Sequence, residues 1–98
     1  MAIKKSISVD EFCRHYGIDS AFVHALNEYG LTEITVIENT PYISEKKIRD
    51  IERMIRLHYD LDINMEGIEA ISHLLDRVEY LQLELNRFKN RLLLYESH

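Results

Sequence analysis

The sequence has little of what a secreted or membrane protein needs. Cys13 is the single cysteine among 98 residues, so no disulfide forms within the chain. The opening residues MAIKKSIS contain no apolar run of the length required for a signal peptide. The longest apolar runs, such as Leu92–Tyr95, are far below the ~18 residues of a membrane-spanning helix. We therefore expect a protein of the reducing cytoplasm with no membrane partner.

Features that support catalysis are also missing. The glycines Gly17, Gly30 and Gly67 are too far apart to form a phosphate-binding loop, and the sequence contains no nucleophile elbow. The five histidines and Cys13 show no zinc-ligand spacing. Cys13 occupies the apolar side of a predicted helix, where a free cysteine is usually inert. We expect no catalytic residue, metal site or cofactor, and hence a binding protein rather than an enzyme.

Positive charge is scarce in the first half of the chain. The formal net charge of the whole protein is −5. Between Ile7 and Glu45, seven acidic residues are accompanied by one basic residue, Arg14, which gives this segment a net charge of −6. A surface of this sign opposes binding to a phosphate backbone and favours a basic protein partner.

The first thirty residues carry the signals of two short helices. Ser8 followed by Glu11 is typical of a capping box, and the apolar spacing after it predicts a helix that ends at Gly17. Asp19 or Ser20 can cap a second helix, which ends at Gly30. Two helices joined by so tight a link form the outline of a helix-turn-helix, an outline that many helical hairpins share.

The next elements are a hairpin and two helices. The β-branched residues in LTEITVIENTPYI predict a short hairpin, or wing, around Asn39-Thr40-Pro41. Ser44 begins a third helix, which the segment HYDLDIN ends. Asn64 is the predicted cap of a long last helix.

The last helix carries an uninterrupted apolar repeat. Apolar residues recur there at alternating steps of three and four, which is the a/d pattern of a coiled coil over four heptads. We name this set the heptad seam; it consists of Ile71, Leu74, Val78, Leu81, Leu85, Phe88, Leu92 and Tyr95. An isolated helix would expose the heptad seam to water, so another helix must cover it.

Two partners could pack against the heptad seam. They are helices of the same chain, in an intramolecular bundle, and a second copy of the protein. The seam spans roughly 35 Å at 1.5 Å per residue, whereas the preceding elements are short. A second copy is the simpler partner, and we predict a homodimer. Parallel pairing would place Glu84 beside Lys89, and an antiparallel stagger would pair Arg77 with Glu84, so charge alone leaves the orientation open.

The order of elements resembles the MerR-type regulators. Within that superfamily, the stretches ISVDEFCRHYGID, NEYGL and especially LHYDLDINMEGIEAISHLLDRVEYLQ are similar to the chaperone-modulator CbpM family, over about residues 6 to 90. The resemblance implies a mainly α fold with a small β wing. It also implies one MerR-like domain over residues 1–98, with a winged helix-turn-helix part at 6–60 and a long coiled-coil helix at 64–96. MerR-type dimers favour antiparallel long helices.

The resemblance to the CbpM family also implies a function and a partner. Proteins of that family inhibit a J-domain co-chaperone of the Hsp70 system, and J domains commonly present a basic helix to Hsp70. We therefore expect the acidic helix-turn-helix and wing to bind the J domain of a DnaJ/CbpA-type co-chaperone. Glu11 is set aside as a capping residue, and the predicted contact residues are Asp19, Glu28, Glu33 and Glu38.

The main alternative is a MerR-type DNA-binding transcriptional regulator. The predicted recognition helix, DSAFVHALNEYG, and the wing, TEITVIENTPY, carry no Lys or Arg, which argues against nucleic acid as the partner. The third helix still offers cations for phosphate contacts, and these keep the alternative open: Lys46, Lys47, Arg49, Arg53 and Arg56. A plain oligomerisation or adaptor protein is a further alternative.

Overall fold

A computed structural model describes residues 5–96 of the chain, and the described part is mainly helical with one small antiparallel sheet. This confirms the predicted fold class. In order, the elements are β1 (Ser6–Ser8), α1 (Val9–Tyr16), α2 (Ser20–Glu28), β2 (Ile34–Ile37), β3 (Thr40–Ser44), a 3-10 turn (Glu45–Lys47), α3 (Ile48–Ile55), a π-helical turn (Arg56–Asp60) and α4 (Met65–Glu96). We call residues 6–60 the head.

Helices α1 and α2 begin where their predicted caps lie. The Ser8 Oγ accepts a hydrogen bond from the Glu11 N–H at 3.1 Å, and the Asp19 Oδ1 accepts one from the Ala21 N–H at 3.0 Å. Gly17 ends α1 in the left-handed region, at a φ of 66°, a conformation that glycine adopts without steric cost. The predicted helix pair and its tight link are therefore confirmed.

The sheet differs from the predicted hairpin in two respects. β1 adds a third strand, so that the order is β1-β3-β2, with Ile7 opposite Ile43. The turn lies at Glu38 and Asn39, whose φ values are 50° and 65°, and not around Asn39-Thr40-Pro41 as predicted. Positive φ at both central residues is the type I′ geometry that suits a two-residue hairpin loop. Thr40 and Pro41 consequently belong to β3.

One apolar core lies inside the head and includes Ile68 from the first turn of α4, residues 65–68, which we call the root of α4. Helices α1, α2 and α3 each contribute one apolar face, β3 contributes one residue and α4 another. The buried apolar residues of the described chain are Val9, Phe12, Cys13, Phe22, Val23, Leu26, Ile43, Ile51, Met54 and Ile68. Removing a fully buried side chain of this kind typically costs about 2–5 kcal/mol, so the core fixes how α4 leaves the head.

Helix α3 continues further than predicted. Residues 56–60 form a π-helical turn, so His58, Tyr59 and Asp60 remain helical. The helical structure ends there, and residues 61–64 form the loop before α4. The His58 ring stacks on Phe22 with centroids 4.8 Å apart, and its Nδ1 lies 2.8 Å from the Ile63 carbonyl oxygen. These contacts tie the third helix to α2 on one side and to the loop before α4 on the other.

Helix α4 starts at a tightly packed turn. The Asn64 Oδ1 accepts a hydrogen bond from the Gly67 N–H at 2.8 Å, which confirms the predicted cap. A Cβ at Gly67 would lie 2.6 Å from the Ile63 Cγ2, so the loop approaches α4 too closely for a side chain at this position. Ile68 is fully buried in the core. Beyond it α4 extends away from the head, and the described chain measures 60 × 40 × 21 Å.

Candidate protein interaction surfaces

The four predicted contact acids lie at the ends of two neighbouring elements. Asp19 and Glu28 stand at the start and end of α2, whereas Glu33 and Glu38 stand directly before and after β2. All four are exposed. Asp19 also serves as the cap of α2, so part of its hydrogen-bonding capacity is used within the chain. Whether these acids contact a partner stays a prediction.

A hydrogen bond brings two of these acids into one neighbourhood. The Ile34 N–H donates to the Asn27 Oδ1 at 3.4 Å, which joins the end of α2 to the start of β2. Glu28 and Glu33 are the chain neighbours of these two residues. The head therefore presents an acidic, solvent-exposed surface where α2 meets the wing.

Two further acids, which the sequence reasoning missed, extend this surface. The Tyr29 hydroxyl donates a hydrogen bond to the Glu66 Oε2 at 2.7 Å. This bond is the largest cause that raises the pKa of Tyr29, and the charges of Glu66, Glu69 and Glu28 raise it further. The same bond lowers the pKa of Glu66. Carboxylates from α2 and α4 thus surround one tyrosine, although some forty residues separate them in sequence.

A second acidic neighbourhood lies around α1. Burial is the main cause that raises the pKa of the Cys13 thiol, and the charges of Asp10 and Asp19 raise it further. Cys13 is 5% exposed. A thiol held protonated and out of solvent is a poor nucleophile, which agrees with the structural role predicted for this residue.

Cations are missing from the surfaces that a DNA-binding relative would turn to the duplex. The exposed residues of α2 are Ala21, His24, Asn27 and Glu28, and those of β2 and its turn are Thr35, Val36, Ile37, Glu38 and Asn39. None is a lysine or an arginine. Phosphate binding depends on such cations, and its affinity rises with their number.

The basic residues of α3 do not form an unbroken cationic patch. The Arg53 guanidinium lies 3.4 Å from the Asp50 carboxylate on the same helix. Lys46 and Arg49 line a shallow surface depression together with Glu45 and Glu52. Because acids alternate with bases here, this face is a weak substitute for a recognition helix that carries no cations.

Four aromatic residues of the head differ in how accessible they are as anchors for a partner. Phe22 is 7% exposed and belongs to the core, so it is not available to a partner. Tyr29 and Tyr42 are half-buried. Tyr59 is 47% exposed and contacts the Phe22 ring edge-on at a centroid distance of 5.4 Å. Tyr59 is therefore the candidate anchor that the fold leaves most accessible.

The heptad seam is uncovered along most of its length. Ile71 is half-buried beside the head, whereas Leu74 and the later seam residues are between 47% and 80% exposed. Within residues 5–96 no other element covers them, so the described chain does not form the intramolecular bundle. Dimerisation through the heptad seam stays a prediction.

Helix α4 also carries apolar residues outside the heptad seam, which the a/d pattern did not include. Tyr80 and Leu83 are 62% and 58% exposed, and they lie on the other side of the helix. The Glu84 carboxylate, considered above as a partner of Lys89 or Arg77 in another chain, is held by its own helix. It accepts hydrogen bonds from the Tyr80 hydroxyl and the Arg87 guanidinium, each at 3.2 Å.

The described residues contain no group of three or more His, Cys, Asp or Glu side chains arranged to hold a metal ion. Over the same part of the chain, no helix combines the length and the apolarity needed to cross a bilayer.

Comparison with known proteins places the chain among regulatory proteins. It is similar to the Chaperone modulatory protein CbpM of Escherichia coli O1:K1 / APEC and to that of Escherichia coli O45:K1 (strain S88 / ExPEC). Each is 24% identical over 94 residues, which make up 95% of this chain and 93% of the relative. The protein of the same name from Escherichia coli O139:H28 (strain E24377A / ETEC) has the same identity and coverage. Residues 7–90 match the family described as MerR HTH family regulatory protein. With that match and the observed helix-turn-helix, wing and long helix, the chain belongs to the MerR helix-turn-helix family.

Proposed function

We propose that this protein is a non-enzymatic cytoplasmic modulator that binds the J domain of an Hsp70 co-chaperone and inhibits it. The observation that carries the proposal is the charge of the head. Acidic and neutral residues occupy the surface of α2 and the wing, where a DNA-binding relative needs cations. The similarity to chaperone modulatory proteins over nearly the whole chain supports the same function.

The proposed contact surface is the one where α2 meets the wing. Glu28 and Glu33 lie on either side of the bond between Asn27 and Ile34, and Glu66 and Glu69 extend the negative charge toward α4. Opposite charge on the J domain would accelerate association and make the affinity depend on salt. Binding there would mask the basic helix that the co-chaperone presents to Hsp70.

The proposed active form is a homodimer paired through the heptad seam. The exposed seam residues offer an apolar stripe about four heptads long, which is the surface that a second copy with the same repeat can cover. An antiparallel pair would place the two heads at opposite ends of the coiled coil, so each dimer would hold two J domains independently.

The test is a calorimetric titration of the protein with an isolated J domain at low, physiological and high salt. We expect the affinity to fall steeply as salt increases, because exposed charges are screened beyond about 8–10 Å at physiological ionic strength. In parallel, the protein should suppress the J-protein-stimulated ATPase activity of Hsp70.

A pair of charge-reversed variants separates the acidic surface from net charge. Glu28→Lys with Glu33→Lys should abolish J-domain binding, since it reverses the charge at the proposed contact. Asp76→Lys with Glu79→Lys changes the net charge equally on exposed positions of α4 and should bind as the wild type does. Equal losses in both variants, or tight binding to duplex DNA at physiological salt without J-domain binding, would refute the proposal.

A further inference from the structure

The outer edge of the wing is open at Val36 and Ile37, although α2 contacts its first residue, Ile34, through Asn27. β2 is an end strand of the described sheet and pairs with β3 alone. Its residues, ITVI, include no charge and no proline, and its pairing with β3 is continuous. Val36 and Ile37 are 65% and 52% exposed. Sheet edges are normally blunted by short strand length, charge, proline, a bulge or a covering element. β2 is short, with four residues, but its β-branched edge carries no charge, proline or bulge, which indicates a place where another strand can be added.

The pairing with β3 shows which main-chain groups face this edge. In a type I′ hairpin the residues flanking the turn, here Ile37 and Thr40, exchange hydrogen bonds. Bonded and non-bonded pairs alternate along an antiparallel ladder, so the next pair, Val36 with Pro41, is non-bonded. The missing N–H of proline is consistent with that position. The N–H and C=O of Val36 therefore point away from β3.

Ile34 faces the same way, two residues earlier on the strand. Its N–H reaches outside the sheet to the Asn27 Oδ1, at a distance of 3.4 Å. An added strand would thus meet the N–H and C=O of Val36 and the C=O of Ile34. These groups are spaced as the alternation of an antiparallel ladder requires.

The charges around the edge decide what kind of strand fits. Exposed carboxylates bracket it, with Glu33 before β2 and Glu38 after it, about 17 Å apart along an extended chain. If a second copy paired antiparallel through its own β2, with Val36 opposite Ile34, Glu33 of each copy would lie opposite Ile37 of the other, one residue from its Glu38. Such a pair brings four carboxylates to the edge and supplies no cation, whereas a strand with a cation at each end would compensate both Glu33 and Glu38.

We propose that the β2 edge binds an extended, β-branched segment of a partner polypeptide that carries Lys or Arg at both ends. The segment joins the sheet as a fourth strand. Its main chain bonds to Val36 and Ile34, and its terminal cations pair with Glu38 and Glu33. This site takes a strand rather than a folded J domain, so it goes beyond the proposed function and does not depend on it.

The probe is the blocked peptide Lys-Thr-Val-Thr-Val-Lys, titrated into the full-length, ¹⁵N-labelled protein. We expect chemical-shift changes centred on β2 and slower hydrogen exchange at the Val36 amide. The peptide with Glu at both ends should bind about tenfold more weakly, because each terminal charge is then repelled.

Matched substitutions at Val36 separate main-chain docking from side-chain contact. Val36→Pro removes the outward N–H without removing a bond to β3 and should weaken the peptide by about tenfold, while Val36→Thr keeps the N–H and should stay within about twofold. Circular dichroism of each variant checks the fold. If Val36→Pro disrupts the wing, Glu33→Gln with Glu38→Gln keeps the backbone and should abolish the preference for Lys over Glu ends.

Three results would overturn this inference. The first is a Val36 amide that exchanges as fast with saturating peptide as without it. The second is equal binding of the Lys-ended and Glu-ended peptides by the wild-type protein. The third is protection of the Val36 amide that rises with protein concentration in the absence of peptide, since that would make a second copy the occupant. J-domain titration of the wild type and of the Val36 variants, all of which keep Glu28 and Glu33, reports on the proposed function separately.

Discussion

Replacing Leu81 with aspartate should separate the predicted dimer into single chains. Leu81 is 57% exposed in one chain, so pairing would bury about half of its side chain, worth about 1–1.5 kcal/mol. An aspartate in the paired seam adds an unpaired charge, which costs about 3–5 kcal/mol. A two-fold symmetric pair contains the substitution twice. Dimerisation should therefore weaken by more than about 6 kcal/mol, or about 10⁴-fold.

Light scattering coupled to gel filtration at micromolar concentrations measures this effect. The wild type should have twice the mass of one chain, and Leu81→Asp should have the mass of one chain. Leu83→Asp is the matched control: Leu83 is 58% exposed but lies outside the heptad seam, and the substitution changes charge and helix propensity equally. A monomeric wild type, or a Leu83→Asp variant that dissociates as completely as Leu81→Asp, would refute the pairing.

Three further predictions concern the head and the root of α4. Gly67→Ala should lower the free energy of unfolding by about 1–3 kcal/mol in urea titrations, because the new Cβ would lie 2.6 Å from Ile63; a more stable variant would show that the loop yields. Cys13 should react with a thiol reagent much more slowly in the folded protein than in guanidinium, since burial raises its pKa, and equal rates would contradict its burial. Tyr29→Phe should lower the melting temperature at neutral pH. The hydrogen bond lowers the folded pKa of Glu66, so its stabilisation is complete above the ordinary pKa and is lost as pH falls through the folded pKa. A difference between variant and wild type that stays constant into acid would exclude this bond as the cause.

Local sequence signals predicted the helix ends well because each signal depends on only a few neighbouring residues. Ser8 and Gly17 mark the ends of α1 through a side-chain cap and a left-handed backbone, and Asn64 marks the start of α4 in the same way. The apolar spacing of α1 likewise predicted its core face, since a helix turns the same side to the core every three or four residues. Fold class followed from these elements together with the resemblance to MerR-type regulators.

Elements that depend on distant partners were missed or misplaced. β1 has three residues, too few to show an alternating pattern, and it exists because Ile7 meets Ile43 on β3. The turn was predicted around Pro41 because proline is common in turns. Pro41 instead lies in β3 at a non-bonded position, where its missing N–H removes no hydrogen bond.

The acidic surface was only partly predictable for the same reason. Glu28 and Glu33 are close in sequence, and their shared location followed from the two elements they flank. Glu66 and Glu69 lie near them only because the fold places the first turn of α4 next to the end of α2, where the Tyr29 hydroxyl donates a hydrogen bond to Glu66. A count of charges along the sequence does not reveal this contact between α2 and α4.

The packing at the root of α4 sets the angle, about the helix axis, between the acidic surface of the head and the heptad seam. Gly67 packs closely against Ile63, and Ile68 is fully buried in the core, so these contacts set the orientation of the head about the axis of α4. Each residue turns an α-helix by about 100°, so one residue inserted between Ile68 and Ile71 would rotate the head by more than a quarter-turn against the heptad seam. Seven inserted residues would nearly restore the angle and move the head outward by about 10.5 Å. In a dimer, the direction in which each acidic surface points therefore depends on the number of residues between Ile68 and the heptad seam.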